Sequence, residues 1–255
     1  MDAAVRNRLI LSLRSEVAMG LSSVQLKAPQ PSSVAVESAL FAEPIPRSSD
    51  DGPALSTEKK RAELAAMNAQ EVSVCTKCRL CETRTQTVFG EGDVDAKIFF
   101  IGEGPGENED LTGRPFVGRA GQLLDKMIVA MGLTREQVYI ANVVKCRPPQ
   151  NRTPLPDEVA TCTPYLERQL NIVRPRVIVT LGRPATADML NDPKLTMGRA
   201  RGHWHQWRGI KLMPTFHPSY VLRSYTPETR RAVWSDLQQV VAEIGLPVGK
   251  RGATA

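Results

Sequence analysis

Three short apolar runs, Lys97–Gly102 (KIFFIG), Val138–Val144 and Val177–Leu181, alternate with helix-patterned segments, and this alternation restricts the chain most. Runs of that length, rich in β-branched and aromatic residues, read as strands buried on both faces. Between them Gly118–Met131 places Leu123, Leu124, Met127 and Ile128 on one helical face, and Pro156–Val173 opens with Pro156 and Asp157, residues suited to a first turn. A short helix follows over Pro184–Leu190. His203–Phe216 reads as a strand pair turning at Arg208-Gly209, and Pro227–Ile244 as a helix capped by Thr226. Strands separated by helices need crossover connections, so the expectation is an α/β fold on a mostly parallel sheet. Ligands of such sheets gather at the carboxyl ends of strands. Two strand ends, after Ile101 and around Asn142, and the Phe216-His217 end of the strand pair carry the unusual residues.

Before this pattern begins, Val5, Leu9, Leu13 and Val17 recur every four residues, with Ile10 alongside, and mark a short amphipathic helix within residues 1–26. Such a helix docks on its own domain or on a protein partner. Residues 27–60 hold Pro29, Pro31, Pro44, Pro46 and Pro53 among Ser and Ala, without periodicity, and read as a flexible linker. The domain is expected over 61–248, with a tail at 249–255. The chain of 255 residues is 42% hydrophobic, which excludes disorder throughout. Leu9–Leu13, broken by Ser12, is too short for a signal or a membrane span, so a cytoplasmic location and no membrane partner are expected.

Charge is unevenly placed. Residues 1–70 carry 8 basic and 8 acidic side chains, so the net +6 arises in residues 71–255. Within Lys194–Arg231 there are 8 basic residues against one acid, Glu228. That excess suits either a solvated basic face or a polyanion, of which nucleic acid is the commonest.

The five cysteines, Cys75, Cys78, Cys81, Cys146 and Cys162, are an odd number without a secretion signal, which argues against a disulfide framework. Cys75-Thr-Lys-Cys78 is a two-thiolate hook that Cys146 and Cys162 can complete to four. Zinc and a [4Fe–4S] cluster both accept four thiolates, and spacing alone does not choose between them. Cys81 is the spare, able to compete with Cys75 as the partner of Cys78.

Three loops carry chemistry. Gly102-Glu-Gly-Pro-Gly106 follows a strand directly. It lacks the Gly-Lys-Ser/Thr of a phosphate loop, and its glycine spacing does not match a dinucleotide fingerprint. Its glycines do let backbone approach a flat ligand closely. Asn142 ends its strand four residues before Cys146. Its amide offers one acceptor and one donor side by side, matching the N3–H and O4 edge of uracil, whereas cytosine presents the reverse pair. Phe216-His217-Pro-Ser-Tyr-Val-Leu-Arg223 places a histidine at a strand end inside the basic region.

GEGPGENEDLTGRPFVGRAGQLLDKM (102–127), NVVKCRPPQNRTPLPDE (142–158) and FHPSYVLR (216–223), with the four cysteines in order, closely resemble the family 4, iron–sulfur uracil-DNA glycosylases. The resemblance runs from about residue 70 to 245. It implies a central, mostly parallel four-stranded sheet flanked by helices, and a monomeric repair enzyme. Such an enzyme flips uracil out of single- or double-stranded DNA and hydrolyses its N-glycosidic bond. It implies a [4Fe–4S] cluster on Cys75, Cys78, Cys146 and Cys162, without redox work.

By the same match, Phe116 would stack on the flipped base, Asn142 would read its N3/O4 edge, and backbone N–H groups at Glu103-Gly104 would hold base oxygens. Glu109 would stand near uracil C5 and exclude the thymine methyl. His217 would donate to O2 as the base leaves. Other uracil glycosylase families have a carboxylate where this chain has Gly104, so Glu103 is the nearest acid able to orient water, with Asn151 as support. Arg147, Arg152, Arg199, Arg201, Ser219 and Arg223 would meet phosphates, and Tyr220, Val221 and Leu222 would wedge into the gap left by the base. Some iron–sulfur relatives bond covalently to the abasic sugar through a histidine in a basic insertion. CRPPQNRTPLPDE has neither, so turnover is expected. A non-catalytic nucleic-acid-binding module and a nucleotide-processing hydrolase are the competing classes. Phe116, Asn142 and His217 together argue against the first, and the missing phosphate loop and acidic metal site against the second.

Overall fold

Residues 55–246 are described by the structure, a computed structural model. Four parallel strands form the centre: β2 (Ile98–Gly102), β3 (Tyr139–Asn142), β4 (Val177–Leu181) and β6 (Ile210–Thr215). Two short antiparallel strands, β1 (Glu91–Gly92) beside β3 and β5 (His205–Trp207) beside β6, extend the sheet to six, in the order β1-β3-β2-β4-β6-β5. The expected four strands are therefore the parallel centre of a wider, mixed sheet.

Successive residues of each strand point to opposite faces, and both faces are apolar. Phe99, Ile101, Ala141, Ile178 and Leu212 pack on one side with Leu64 of α1 (Thr57–Met67) and Leu166 and Leu170 of α4 (Pro156–Val173). Ile98, Phe100, Ile140, Val179 and Met213 pack on the other with Leu124 and Ile128 of α3 (Arg119–Ala130) and Leu237 and Val241 of α8 (Pro227–Glu243). Thr226 caps α8 by accepting from the Thr229 N–H.

Four shorter helices complete the domain: α2 (Glu107–Thr112), α5 (Arg183–Leu190), α6 (Met197–Ala200) and α7 (Pro218–Arg223). The domain begins earlier than residue 61. Ser56 caps α1, and Lys60 is buried with its Nζ 2.8 Å from Asp95 and 3.2 Å from the Val173 carbonyl. Residues 57–60 are thus helix rather than linker. The expected N-terminal helix, the linker up to residue 54 and the tail from 249 lie outside the described residues.

Candidate active site

The register sets Gly102, last residue of β2, beside Asn142, last residue of β3. The two chains stay together beyond the sheet, with Val143 N donating to Gly102 O (2.9 Å) and Val144 N to Glu103 O (3.1 Å). A Cβ at Gly102 would strike both Asn142 Oδ1 and the Phe116 ring, so glycine is what lets these three meet. Asn142 is 1% exposed, and its Oδ1 has no hydrogen-bond partner. An unpaired buried amide oxygen costs about 1–3 kcal/mol, a cost that a ligand N–H would remove.

Phe116 stands in the left-handed region at φ 51°, unusual for an aromatic residue. Arg135 holds it there. Its guanidinium donates to the Pro115 and Phe116 carbonyls, and pairs with Asp125 at 2.6 Å and Glu91 at 2.9 Å. Gly121 of α3 packs so tightly on the Phe116 carbonyl that no side chain fits there. The Phe116 ring lies 5.7 Å from the His217 ring, centroid to centroid.

His217 caps α7. Its Nδ1 accepts from the Ser219 N–H (3.0 Å) and lies 2.8 Å from Ser219 Oγ. Since Nδ1 is the acceptor, the ring proton of the neutral imidazole belongs on Nε2. Burial, aided by the Arg223 charge, pushes the His217 pKa down to about 4, so the ring is neutral at physiological pH. Gly182, directly after β4 with φ +87°, leaves room for the His217 Cβ.

Phe116, Asn142 and His217 line one cavity of about 430 Å³, with Glu103, Gly104, Glu109, Asn151, Arg152, Ser219 and Arg223 also in its wall. One oxygen of Glu103 is buried without a partner. Burial pushes its carboxyl above the ordinary range, with Thr153 pulling partly back and Asp188 adding to the rise. Glu109 is a clamp: Oε1 accepts from Val117 N and Gly118 N, both at 2.8 Å, and Oε2 from Gly106 N at 3.1 Å. It ties the Gly-rich loop to the Phe116 loop, a function the sequence does not show.

The basic residues separate in space. Arg201 is not a free phosphate contact. Its guanidinium is bidentate on buried Asp236 (2.7 and 3.1 Å), and Asp236 also accepts from Thr215 at the end of β6. Arg201 also lies over the Phe216 ring, so it braces the His217 loop. Arg208 pairs with Glu167 and Lys211 with Glu243. Arg223 stands at the cavity wall and Arg199 is exposed. Arg152 is bidentate on Glu158, whose carboxylate is fully buried, and Arg147 Nε donates to Asn151 Oδ1 at 2.8 Å. Val221 cannot wedge into DNA as expected: the single turn of α7 points it into the core at 2% exposure. Tyr220 is 39% exposed on the outer side, and Leu222 is half-buried.

Past Asn142, the β3 chain enters a second, narrow cavity lined by Cys75, Cys78, Cys81, Cys146 and Cys162. All five thiols are free. Arg84 Nη1 and the Lys145 N–H each lie 3.2 Å from sulfur, on Cys146 and Cys162. Burial pushes the Cys162 thiol up to about 11, and raises Cys78 and Cys146 as well. Lys145, fully buried, joins the two cavities: Nζ donates to the Asn142 carbonyl (2.9 Å) and to Gln169 of α4 (2.6 Å). Among the described residues, no three His, Cys, Asp or Glu side chains form a group arranged to hold a single metal ion.

Residues 89–238 match the family model of the uracil DNA glycosylase superfamily. The chain belongs to that superfamily. Within it, the chain is 49% identical over 180 residues to a type-4 uracil-DNA glycosylase of Thermotoga maritima, covering 70% of this chain and 94% of the relative. Type-4 enzymes of Saccharolobus solfataricus and Sulfurisphaera tokodaii are each 46% identical. The first match covers 68% of this chain and 82% of the relative, the second 67% and 80%. It is a member of the type-4 uracil-DNA glycosylase family.

Proposed function

We propose that this chain is a monofunctional repair glycosylase that flips uracil out of DNA, hydrolyses its N-glycosidic bond, and leaves an abasic site. The observation that carries this is the buried, partnerless Oδ1 of Asn142 in contact range of Phe116 across Gly102. Uracil N3–H supplies the missing donor and O4 accepts from the same amide. Cytosine offers N3 as an acceptor and an amino group, so both contacts turn unfavourable. Phe116 is the stacking platform, fixed before any base arrives. Glu109, immobilised by three backbone N–H groups, forms a wall near C5 against the thymine methyl.

The bond breaks as negative charge gathers on the departing base and positive charge on the sugar. His217 donates its Nε2 proton as a hydrogen bond to O2. A neutral imidazole does this without a buried cation, and Gly104 N–H adds a second donor. Glu103, with one oxygen unpaired, orients the attacking water and accepts its proton, with Asn151 in support. Arg223, Arg199 and Arg147 approach the DNA phosphates. Arg152, held on Glu158 but lining the cavity, offers them only its remaining edge. Ser219 both fixes His217 and reaches a phosphate, and Tyr220 and Leu222 face the stack.

Cys75, Cys78, Cys146 and Cys162 hold a [4Fe–4S] cluster. An all-sulfur set with a guanidinium and a backbone N–H aimed at the sulfurs fits an anionic thiolate cluster. Spread round a cavity rather than closed on one point, the thiols suit a multi-iron group better than one ion. When bound, the cluster supplies structure, pinning residues 147–161 where Arg147 and Arg152 face DNA. The substrate is uracil-containing DNA, double- or single-stranded, met by a monomer in the cytoplasm at the nucleoid. No described helix is long and apolar enough to cross a membrane.

The test is base release from oligonucleotides carrying one uracil or one cytosine, with wild type and Asn142→Asp. Aspartate loses the donor to O4 and adds a charge against the developing anion, so uracil release should fall about 10²–10³-fold. Unchanged release would overturn the reading of base selection.

A further inference from the structure

The cysteine cavity holds one thiol more than a four-thiolate cluster needs. We infer that Cys81 is a built-in reserve ligand, able to take the iron site of Cys78 when Cys78 is lost. This rests on the cluster reading above and goes beyond it. Cys75, Cys78 and Cys81 follow one another at two-residue gaps. That is the spacing with which bacterial ferredoxin runs present three successive cysteines.

The local fold sets both candidates at the wall of one cavity. Cys78, in extended backbone, caps a single 3₁₀ turn, Arg79–Glu82, that contains Cys81, and the Cys81 N–H donates to the Cys78 carbonyl at 3.1 Å. The turn is anchored by Leu80, which is 1% exposed in the core, so both sulfurs are carried by one short, fixed element. Both thiols line the same cavity as Cys146 and Cys162, and neither is spent in a disulfide. Cys75 has no such neighbour: Tyr165 OH lies 3.8 Å from its sulfur, and it stands at the end of the preceding turn. The exchange is a ligand substitution without electron transfer. The Cys81 thiol releases its proton to solvent and its sulfur forms the bond to iron that Cys78 no longer makes. Cys146 and Cys162 come from distant segments, with no spare within reach in sequence.

The experiment is anaerobic reconstitution of the full chain with ferrous iron and sulfide. It uses wild type, Cys78→Ala, Cys81→Ala, the double variant and Cys146→Ala, each checked for folding by circular dichroism. Iron, acid-labile sulfide and the visible thiolate-to-iron absorption are read per chain. Wild type and both single variants at 78 and 81 should retain about four iron per chain. The double variant and Cys146→Ala should fall below about a quarter of that. Cys78→Val, equally unable to ligate iron, serves in place of the alanine variant if the latter does not fold. Folded Cys78 variants as empty as the double variant would overturn the reserve role. Loss in Cys81→Ala with retention in Cys78→Ala would overturn it too, by making Cys81 the resident ligand. Wild type that binds no iron and sulfide would instead overturn the cluster reading itself.

Discussion

The base cavity and the cysteine cavity share one strand, since β3 delivers Asn142 to the first and Cys146, four residues later, to the second. They are built in opposite ways. The base cavity is rigid through bonds made within the protein: Arg135 on the Phe116 loop, Glu109 across two loops, Ser219 on His217. What it leaves unpaired, Asn142 Oδ1 and one oxygen of Glu103, is what a base and a water can satisfy. The cysteine cavity is assembled from three separate segments, with Cys146 and Cys162 buried, and burial first, then the neighbouring thiolates, oppose the ionisation of these two. One cavity is held by the protein's own bonds, whereas the other, on the cluster reading proposed above, would be held by its ligand.

The sharpest way to break this contrast is to empty the second cavity. Cys146→Ala should lose iron and about 4 kcal/mol or more of stability in urea melts, because a bound metal group contributes directly to folding. Uracil release by the folded fraction should suffer mainly in KM for DNA, through a loosened 147–161 segment, with kcat kept. A loss confined to kcat would mean that the cavities are not separable in this way.

A second test lies in the base cavity itself. His217 has its folded pKa near 4, below its unfolded value of 6.5, so the folded state binds fewer protons between these values. Its contribution is therefore fully present above pH 6.5 and lost as pH falls towards 4, by up to about 3 kcal/mol. Urea melts of wild type and His217→Gln across that window should diverge accordingly; parallel curves would place the ring in solvent.

The smallest effects separate the arginines. Arg223→Ala should lower the slope of log affinity against log salt by about 1, the signature of one lost phosphate contact. Arg201→Ala should leave that slope unchanged and lower stability, because its partner Asp236 is buried. Equal salt slopes for the two variants would erase the distinction.

That distinction was not legible in the sequence. Lys194–Arg231 reads as one basic patch, yet three of its cations are neutralised by Glu167, Asp236 and Glu243, acids outside the run that only folding brings near. The central strands and long helices were legible, because burial on both faces and helical periodicity are local signals. β1, two residues long, and α7, six, are too short to show any period. The start of α1 was masked because it buries a lysine, Lys60, paired with Asp95 thirty-five residues on. Phe116, Asn142 and His217 could be found from strand ends and motif resemblance. Arg135, Glu158 and Lys145 could not, because what matters about each is a side-chain bond that no local pattern announces: to the Phe116 loop, to Arg152, and to the Asn142 carbonyl and Gln169.

The most direct measurement is incubation of the iron-reconstituted protein with an end-labelled oligonucleotide containing one uracil, followed by alkali to cut abasic sites. His217→Ala and a uracil-free strand run beside it. Cutting only at uracil, and about 10²–10³-fold slower in the variant, is the expected result. Wild type that leaves the uracil strand intact, or His217→Ala that cuts as fast, would contradict it.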